Sequence, residues 1–427
     1  MGTITRGLAN SITTGGKVVS TSLSGTVQAS NVDNESLDSV TAFDSSLGDF
    51  VETTASDVSA GPTTKGQLFY NTSDGVLKGI RLGVASWASG GNLINATRGG
   101  AGIGTRDAAV AAGGILGTVS PAGSGGSRPG HSEEYNGTSW SNLPTIGRSP
   151  SNSTFILGGC GTATAGIIAG GMPGGEGQVA NSDEWDGSSW TAGGAMGDAR
   201  QSPELSGTSA AAFVTGGRDD PGSVKNTSEI YDGSSWTNST SMSNARYYHA
   251  QGGTTTATWV AGGSPPGETS ATEEWNGSSW TAGNNMNVDR YGAGGSGTQT
   301  AGLASGGTDS PGTALSTSSS YDGTNWTAGS ALTEAKKNMY GGLSLASGGT
   351  SSTLISGGND ASTYTTNCQI FDGTSFFNTG VLGTARYGNQ SGDSTSALFS
   401  AGYNGSNMNN TEEFTGPFLD SKTVTTG

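Results

Sequence analysis

The chain alternates short segments of small and β-branched residues with polar turns rich in Gly, Ser, Thr, Asn and Asp, a pattern typical of β-strands joined by tight turns. One octapeptide places an aromatic residue on either side of such a turn, as in EEWNGSSW at residues 273–280. Because Asn-Gly and Asp-Gly favour the two positive φ angles of a type I′ turn, each copy is predicted to be a hairpin. The copies end 50, 46, 44, 46 and 50 residues apart, at Trp140, Trp190, Trp236, Trp280, Trp326 and Phe376.

Two further markers repeat in a constant order with this hairpin. A Gly-Gly pair begins at Gly113, Gly170, Gly216, Gly262, Gly306 and Gly357. A basic residue precedes each pair and also the last unit, at Arg98, Arg148, Arg200, Arg246, Arg290, Lys336 or Lys337, and Arg386. The segment between the basic residue and Gly-Gly predicts two more short strands, so each period holds four. A four-stranded unit of this size cannot bury its own faces, and seven such units are predicted to close into a ring.

The order of basic residue, Gly-Gly, aromatic residue and Trp resembles the kelch motif over residues 86–416. Where kelch repeats place Tyr, every unit of this chain has an aromatic residue, namely Tyr135, Trp185, Tyr231, Trp275, Tyr321, Phe371 and Phe414. The resemblance implies an all-β fold, a seven-bladed kelch-like β-propeller of four-stranded blades. It also implies that the repeated basic residues form hydrogen bonds to strand ends and loop carbonyls. The alternative is that these basic residues line the channel and hold an anion.

The sequence also predicts how the ring closes. Residues 85–98, ASWASGGNLINATR, match SSWTAGGAMGDAR of the second unit and place Trp87 where other units have their outer-strand Trp. Pro417 follows the last of the seven aromatic segments and cannot donate a ladder hydrogen bond. The strand near Trp87 is therefore predicted to complete the unit that begins at Arg386, with Phe418 as the alternative outer aromatic residue. The outer aromatic residues are all predicted to be structural: Trp87, Trp140, Trp190, Trp236, Trp280, Trp326 and Phe376.

Three flanking segments differ from the repeats. Residues 1–64 are dominated by Ser, Thr, Gly and Asn, and they are expected to be a polar docking or assembly segment. Residues 65–85 alternate apolar side chains around Ser-Asp-Gly, which predicts a β-hairpin connector, and residues 417–427 are expected to be a C-terminal tail. The stretch from residue 66 into ASWASGGNL resembles leader segments of tail-fibre and appendage proteins of marine bacteriophages.

Composition and charge narrow the classes of partner and activity. The net charge of −16 repels phosphate backbones, so no nucleic-acid partner is expected. No apolar run is long enough for membrane insertion, and the first residues lack the apolar region of a secretory signal.

The residues available for catalysis are few. The chain has two histidines, His131 and His249, and two cysteines 208 residues apart, Cys160 and Cys368, none of them in a recognisable motif. A sialidase Asp-box needs a residue between Asp and Gly, and these are adjacent here. A galactose-oxidase-like copper site needs a Tyr, Cys and His constellation that these residues do not supply. No enzymatic activity, cofactor or metal site is therefore predicted.

Variation between the repeats suggests where a binding face would lie. The aromatic hairpin turns are nearly uniform, whereas the loops after Gly-Gly differ in length and chemistry, so contact with a receptor is predicted in those loops. The candidate residues are Arg218, Asp219, Asp220, Glu268, Asp309, Asp360, Tyr364 and Tyr403.

The expected function is that of a non-enzymatic virion appendage protein, a tail fibre or similar. Its N-terminal segment would dock onto other virion proteins or self-associate into a homo-oligomer, and its propeller would attach to a glycan or protein of the host surface. One alternative is a secreted or cell-surface carbohydrate-active or carbohydrate-binding kelch protein. Another is a purely structural virion decoration protein.

Overall fold

The computed structural model describes residues 52–54, 68–71, 76–82, 85–116, 130–147, 157–173, 177–219, 222–264, 269–309, 312–337, 345–347, 352–360, 363–416 and 419–423. These residues form 34 β-strands and no helix, so the all-β prediction is confirmed. Within these ranges there is accordingly no helix capable of spanning a membrane.

Seven four-stranded antiparallel sheets make up the repeat region, one for each predicted unit. Blade 1 consists of β6 (Ala101–Gly104), β7 (Ala109–Ala112), β9 (Ser132–Tyr135) and β10 (Trp140–Asn142). Blade 2 consists of β11 (Gly158–Thr162), β12 (Ala165–Ala169), β13 (Ser182–Trp185) and β14 (Trp190–Ala192). Blade 3 consists of β15 (Glu204–Thr208), β16 (Ala211–Thr215), β17 (Ser228–Tyr231) and β18 (Trp236–Asn238). Blade 4 consists of β19 (Ala250–Thr254), β20 (Ala257–Ala261), β21 (Thr272–Trp275) and β22 (Trp280–Gly283). Blade 5 consists of β23 (Gly294–Thr298), β24 (Ala301–Ser305), β25 (Ser318–Tyr321) and β26 (Trp326–Ala328). Blade 6 consists of β27 (Leu345–Ser347), β28 (Thr353–Ser356), β29 (Cys368–Phe371) and β30 (Phe376–Asn378). Blade 7 consists of β31 (Tyr387–Gly392), β32 (Ser396–Tyr403), β33 (Thr411–Thr415) and β4 (Ser86–Ser89).

The blades close into a ring, and a strand from the N-terminal side completes it. The first strand of each blade is innermost and contacts the first strands of its neighbours, and β31 of blade 7 contacts β6 of blade 1. In blade 7, β33 pairs with β4 in a register that sets Phe414 opposite Trp87. The predicted closing strand is therefore present, and Trp87 rather than Phe418 is the outer-strand aromatic residue. A two-stranded sheet of β5 (Thr97–Arg98) and β8 (Ile115–Leu116) joins the entry to blade 1.

A second compact unit contains residues from both ends of the chain. The predicted hairpin is formed by β2 (Leu68–Asn71) and β3 (Val76–Leu82), and β1 (Glu52–Thr54) pairs in parallel with β2. Within the segment expected to be a C-terminal tail, Leu419–Thr423 forms β34 and pairs antiparallel with β3. The predicted docking segment, residues 1–64, lies outside the described residues apart from β1.

The aromatic hairpins are correctly predicted, but the type I′ turn is wrong. Trp185 lies directly opposite Trp190, which leaves four residues in the turn rather than two. Only the glycine, Gly187, has a positive φ, of 92°. The Asp186 carboxylate accepts the Ser188 hydroxyl and the backbone N–H groups of Ser189 and Ser188, and these bonds lower its pKa to about 2. The turn is therefore held by side-chain capping, which explains the Ser and Thr that follow each Asp-Gly or Asn-Gly.

The hydrophobic core lies between the blades, and in blades 1 to 5 the indole of the outer Trp forms a hydrogen bond to the preceding blade. Trp190 packs on Trp185 of its own hairpin, with ring centroids 5.3 Å apart, and its indole N–H donates to Ser132 of blade 1 at 2.9 Å. Four other blades repeat this donation to the first residue of the preceding third strand, through Trp140 to Thr411, Trp236 to Ser182, Trp280 to Ser228 and Trp326 to Thr272. These tryptophans thus contact both their own hairpin and the neighbouring blade, as expected of structural residues.

Tyrosines in the third strands add a second contact between blades. Tyr321 donates to Glu274 of the preceding blade at 2.7 Å, and Tyr231 donates to Glu184 in the same way. Tyr135 donates to Glu413 and so joins blade 1 to blade 7 across the closure of the ring. Where the aromatic residue is Trp275, Phe371 or Phe414, the preceding blade has Ile230, Ser320 or Ile370 in place of the glutamate. A tyrosine at this position therefore goes with a glutamate in the preceding blade. The exception is blade 2, which has Trp185 although blade 1 has Glu134.

In blade 7 the indole of the outer Trp lacks the hydrogen bond to the preceding blade, and a substitution that restores this bond should stabilise the protein. The residue of blade 6 that would accept from Trp87 is Cys368, and the buried Trp87 indole nitrogen has no hydrogen-bond partner among the described residues. We expect Cys368→Ser to raise the free energy of unfolding by about 1 kcal/mol, because a hydroxyl restores the missing acceptor. Urea unfolding of the variant measures the gain. The same substitution in a Trp87→Phe background should give none, and an equal change in both backgrounds would contradict the assignment.

Candidate functional site

The strand order defines two faces of the propeller. The loops after the second strand of each blade and the connections between blades lie at one end, here called the loop face. The turns within the first and last strand pairs lie at the other end, the turn face. The varied loops and the repeated basic residues therefore share the loop face, and the uniform Asp-Gly turns occupy the turn face.

The repeated basic residues are structural. Arg246 is fully buried, and its guanidinium donates to the carbonyls of Gly262 and Ala271 at 2.8 and 2.9 Å. Arg200, Arg290 and Lys336 donate in the same way to the first glycine of their Gly-Gly pair and to a carbonyl at the start of the third strand, and Arg386 donates to Ala401. The prediction that they hydrogen-bond strand ends and loop carbonyls is confirmed for these five residues. Because they are buried, they do not line an open channel.

A buried carboxylate completes this arrangement in three blades. Glu273 lies 2.9 Å from the Arg246 guanidinium, and Glu229 and Glu412 pair in the same way with Arg200 and Arg386. Each glutamate also accepts a backbone N–H from the connection between blades, as Glu273 does from Ser243. Blade 5 has Ser319 at this position, and burial lowers the pKa of Arg290 to about 10. The carboxylate thus binds the backbone of the connection between blades as well as neutralising the arginine.

The predicted acidic residues bind within their own loops. Asp219, Asp309 and Asp360 occupy the same position in blades 3, 5 and 6, two residues after Gly-Gly. Asp309 and Asp360 each accept a loop N–H, from Thr313 and Thr363. Asp219 pairs with Lys225 at 2.8 Å. All three therefore have a role in shaping their loops, and Asp220 and Glu268 lie outside the described residues.

The predicted tyrosines come together with two residues that the loop comparison missed. The rings of Tyr364, Tyr387 and Tyr403 lie with centroids 5.9 to 6.1 Å apart, and Tyr364 meets Tyr403 edge to face. The Arg98 guanidinium carbon lies 4.3 Å from the centroid of the Tyr403 ring. Tyr364 and Tyr403 are half-buried, while Arg98 and Tyr387 are buried beneath them. These four residues, the tyrosine cluster, join blades 6 and 7 to the segment before blade 1.

Arg218 belongs to a second aromatic group, on blades 3 and 4. Its guanidinium carbon lies 5.1 Å from the centroid of the Tyr247 ring. The centroids of the Tyr247 and Tyr248 rings are 4.8 Å apart. The sequence prediction included Arg218 but neither tyrosine. Tyr247 directly follows the repeated Arg246, as Tyr387 follows Arg386, and Tyr248 comes next, so the positions after the basic residue were the signal that could have identified them. That position bridges in the backbone to the residue after Gly-Gly in several blades, as Gln201 does to Arg218.

His249 follows Tyr248 in the sequence and is buried between blades 3 and 4. Its Nε2 lies 2.9 Å from the Thr215 hydroxyl, which also bonds to Gln251. Burial, with a smaller effect of the Arg246 charge, lowers its pKa to about 3. His249 is therefore neutral at physiological pH and contributes to packing. Glu204, cross-strand from Thr215, has its pKa raised by desolvation to about 7.

These shifts give a stability prediction with a defined sign. Between the ordinary histidine pKa of 6.5 and the folded value of about 3, unfolding takes up a proton at His249. The contribution of His249 to stability is thus complete above pH 6.5 and falls with pH by about 1.4 kcal/mol per unit. Glu204 has the opposite sign, because it holds its proton in the folded state between pH 7 and its ordinary 4.5. Denaturant unfolding of His249→Gln between pH 4 and 6 should therefore show a weaker loss of stability on acidification than wild type. His131→Gln is the control, and an equal slope in the two variants would contradict the assignment.

Comparison with known proteins supports the fold and assigns no family. No protein-family model matches the chain, and no curated protein matches it. Among solved structures, the chain is similar to the one described as "Structure of YjhT", with a TM-score of 0.50 and 12% sequence identity. The match covers 66% of this chain and 97% of that chain. At this identity the likeness shows a shared β-propeller fold alone.

Proposed function

We propose that the protein is a non-enzymatic virion appendage protein whose N-terminal segment docks on the particle and whose propeller attaches to glycans of the host surface. The propeller fold suits a binding or structural role. The observation that carries the attachment proposal is the tyrosine cluster on the loop face. Three blade or linker segments converge there on Tyr364, Tyr387, Tyr403 and Arg98.

The chemistry of this cluster suits a sugar. A tyrosine ring offers an apolar face for the C–H groups of a pyranose, and its hydroxyl can donate to or accept from the sugar hydroxyls. Tyr387 and Arg98 are buried below the two half-buried rings, so the platform is supported from beneath. A rigid aromatic platform loses little conformational entropy on binding.

The docking proposal draws on the other unit of the chain. Its four described strands combine segments from both ends of the sequence, and residues 1–64 are polar and poor in core-forming side chains. The resemblance of the following stretch to phage appendage leaders supports a particle as the partner. Deletion of residues 1–64 should leave a folded propeller that no longer assembles onto particles, and normal incorporation of the truncated chain would refute docking.

A glycan array probed with the purified full-length chain tests attachment. We expect the wild type to bind at least one bacterial surface glycan and Tyr364→Ala to weaken that binding tenfold or more. The control is Ser278→Ala, an exposed change in a turn-face hairpin. Equal binding by Tyr364→Ala would move the site elsewhere. An absence of binding would favour a decoration protein, and release of sugar products would favour a carbohydrate-active enzyme.

A further inference from the structure

The second residue after the repeated basic residue has the same unusual backbone in consecutive blades. Ser202, Tyr248 and Gly292 have φ values of 51°, 54° and 64° in blades 3, 4 and 5. The left-handed region is accessible to glycine at no steric cost, but a residue with a large side chain is strained there. This backbone conformation thus recurs in blades 3 to 5, and Gly292 is the residue that adopts it most easily.

The adjacent blades show that this backbone position does not need a tyrosine, because Ser202 and Gly292 occupy it in blades 3 and 5. The Tyr248 carbonyl accepts the Gly292 N–H at 2.7 Å, a backbone bond between blades that any residue could make. The Tyr248 ring is half-buried on the loop face and contacts the Tyr247 ring. A glycine or serine would keep the scaffold, as Gly292 and Ser202 do in the adjacent blades.

The neighbours of Tyr248 indicate what the ring could contact. Tyr247 lies 4.8 Å away at an interplanar angle of 49°, and the Arg218 guanidinium lies over the Tyr247 ring. Two inclined aromatic rings beside a guanidinium combine an apolar surface with fixed polar groups. A pyranose ring presents the complementary surface, with C–H groups on its faces and hydroxyls around its rim.

We infer that Tyr248, Tyr247 and Arg218 form a second carbohydrate subsite, on blades 3 and 4, and that the strained Tyr248 is the residue that stacks on the sugar ring. This inference rests on the proposed glycan attachment and extends it to a region of the loop face built from other blades than the tyrosine cluster. A long surface polysaccharide would then contact the propeller at two subsites, and the avidity would exceed that of either.

Matched glycine substitutions test this subsite. Tyr248→Gly and Ser202→Gly both relieve a left-handed residue, so neither should lower the melting temperature by more than about 2 °C. Binding of the full-length variants is measured on the same glycan array and by saturation-transfer NMR with methyl β-D-galactopyranoside, methyl β-D-glucopyranoside and methyl α-D-mannopyranoside. We expect Tyr248→Gly to weaken glycan binding about tenfold, Ser202→Gly to leave it unchanged, and Tyr248→Phe to retain it within about threefold.

The outcomes separate this inference from the proposed function. If the wild type binds glycans and Tyr364→Ala weakens binding while Tyr248→Gly does not, the attachment proposal stands and the second subsite is refuted. If the melting temperature of Tyr248→Gly falls by 10 °C, the tyrosine is retained for packing and the subsite is likewise refuted. If the wild type binds no glycan on the array or by NMR, both proposals fail.

Discussion

Replacing Trp280 with Ala is expected to lower the free energy of unfolding of the propeller by about 3–5 kcal/mol. Trp280 makes three contacts, two of which link blade 4 to blade 3. Its ring packs on Trp275 of its own hairpin at 5.5 Å and on Phe213 of blade 3 at 5.9 Å, and its indole N–H donates to Ser228 at 3.0 Å. Truncation removes all three contacts at once and leaves a gap between the blades. Chemical denaturation monitored by circular dichroism measures the loss.

Trp280→Phe separates packing from hydrogen bonding. Phenylalanine keeps an aromatic ring against Trp275 and Phe213 but lacks the N–H that reaches Ser228, so the expected loss is about 1–2 kcal/mol. The same comparison at Trp236, which donates to Ser182, should give a similar ordering. An unchanged unfolding midpoint for Trp280→Ala would show that the hairpin aromatic residues do not hold the blades together.

Removing the arginine of a buried pair is expected to have an effect of similar size, about 3–5 kcal/mol for Arg246→Leu. The substitution leaves the carboxylate of Glu273, 1% exposed, without its guanidinium. It also removes two donors from the carbonyls of Gly262 and Ala271. The loss follows from the uncompensated charge and the unpaired carbonyls rather than from the intrinsic strength of the ion pair. Equilibrium unfolding in urea measures it.

Blade 5 supplies the matched control for this prediction. Arg290 donates to the equivalent carbonyls, but Ser319 stands where blade 4 has the glutamate. Arg290→Leu therefore leaves no buried carboxylate, and its cost should be smaller by about 1–2 kcal/mol. Equal costs in the two blades at neutral pH would contradict a role for the buried charge.

Sequence periodicity was sufficient for the architecture because the repeat is a local property of the chain. Strands, turns and Gly-Gly ends occur in a constant order within one blade, so the seven blades and the closing strand at Trp87 could be predicted from spacing. The turn type could not, because Asn-Gly at a hairpin is compatible with both a two-residue and a four-residue connection. The direct pairing of Trp185 with Trp190 decides between them.

The candidate site was only partly predictable, since its residues come from distant parts of the chain. Tyr364 and Tyr403 were predicted from loop variation, and Arg218 was predicted from its charge. Their contacts with Tyr387, Arg98 and Tyr247 depend on which blades adjoin and on how the ring closes. The left-handed conformation of Tyr248 has no signal in its own sequence, and only the glycine at the equivalent Gly292 indicates it.

The sequence by itself determined the all-β class, the four-stranded repeat and the order of the blades, because hydrophobic alternation and turn residues act over a few positions. Tertiary structure alone decided which side chains meet across the blade interfaces. Tyr135 and Glu413 are 278 residues apart and form a hydrogen bond because blades 7 and 1 adjoin, and Cys368 leaves the Trp87 indole without its acceptor for the same reason. Such pairs are satisfied or left unsatisfied by the closure of the ring, a long-range constraint that the pattern within a repeat does not contain.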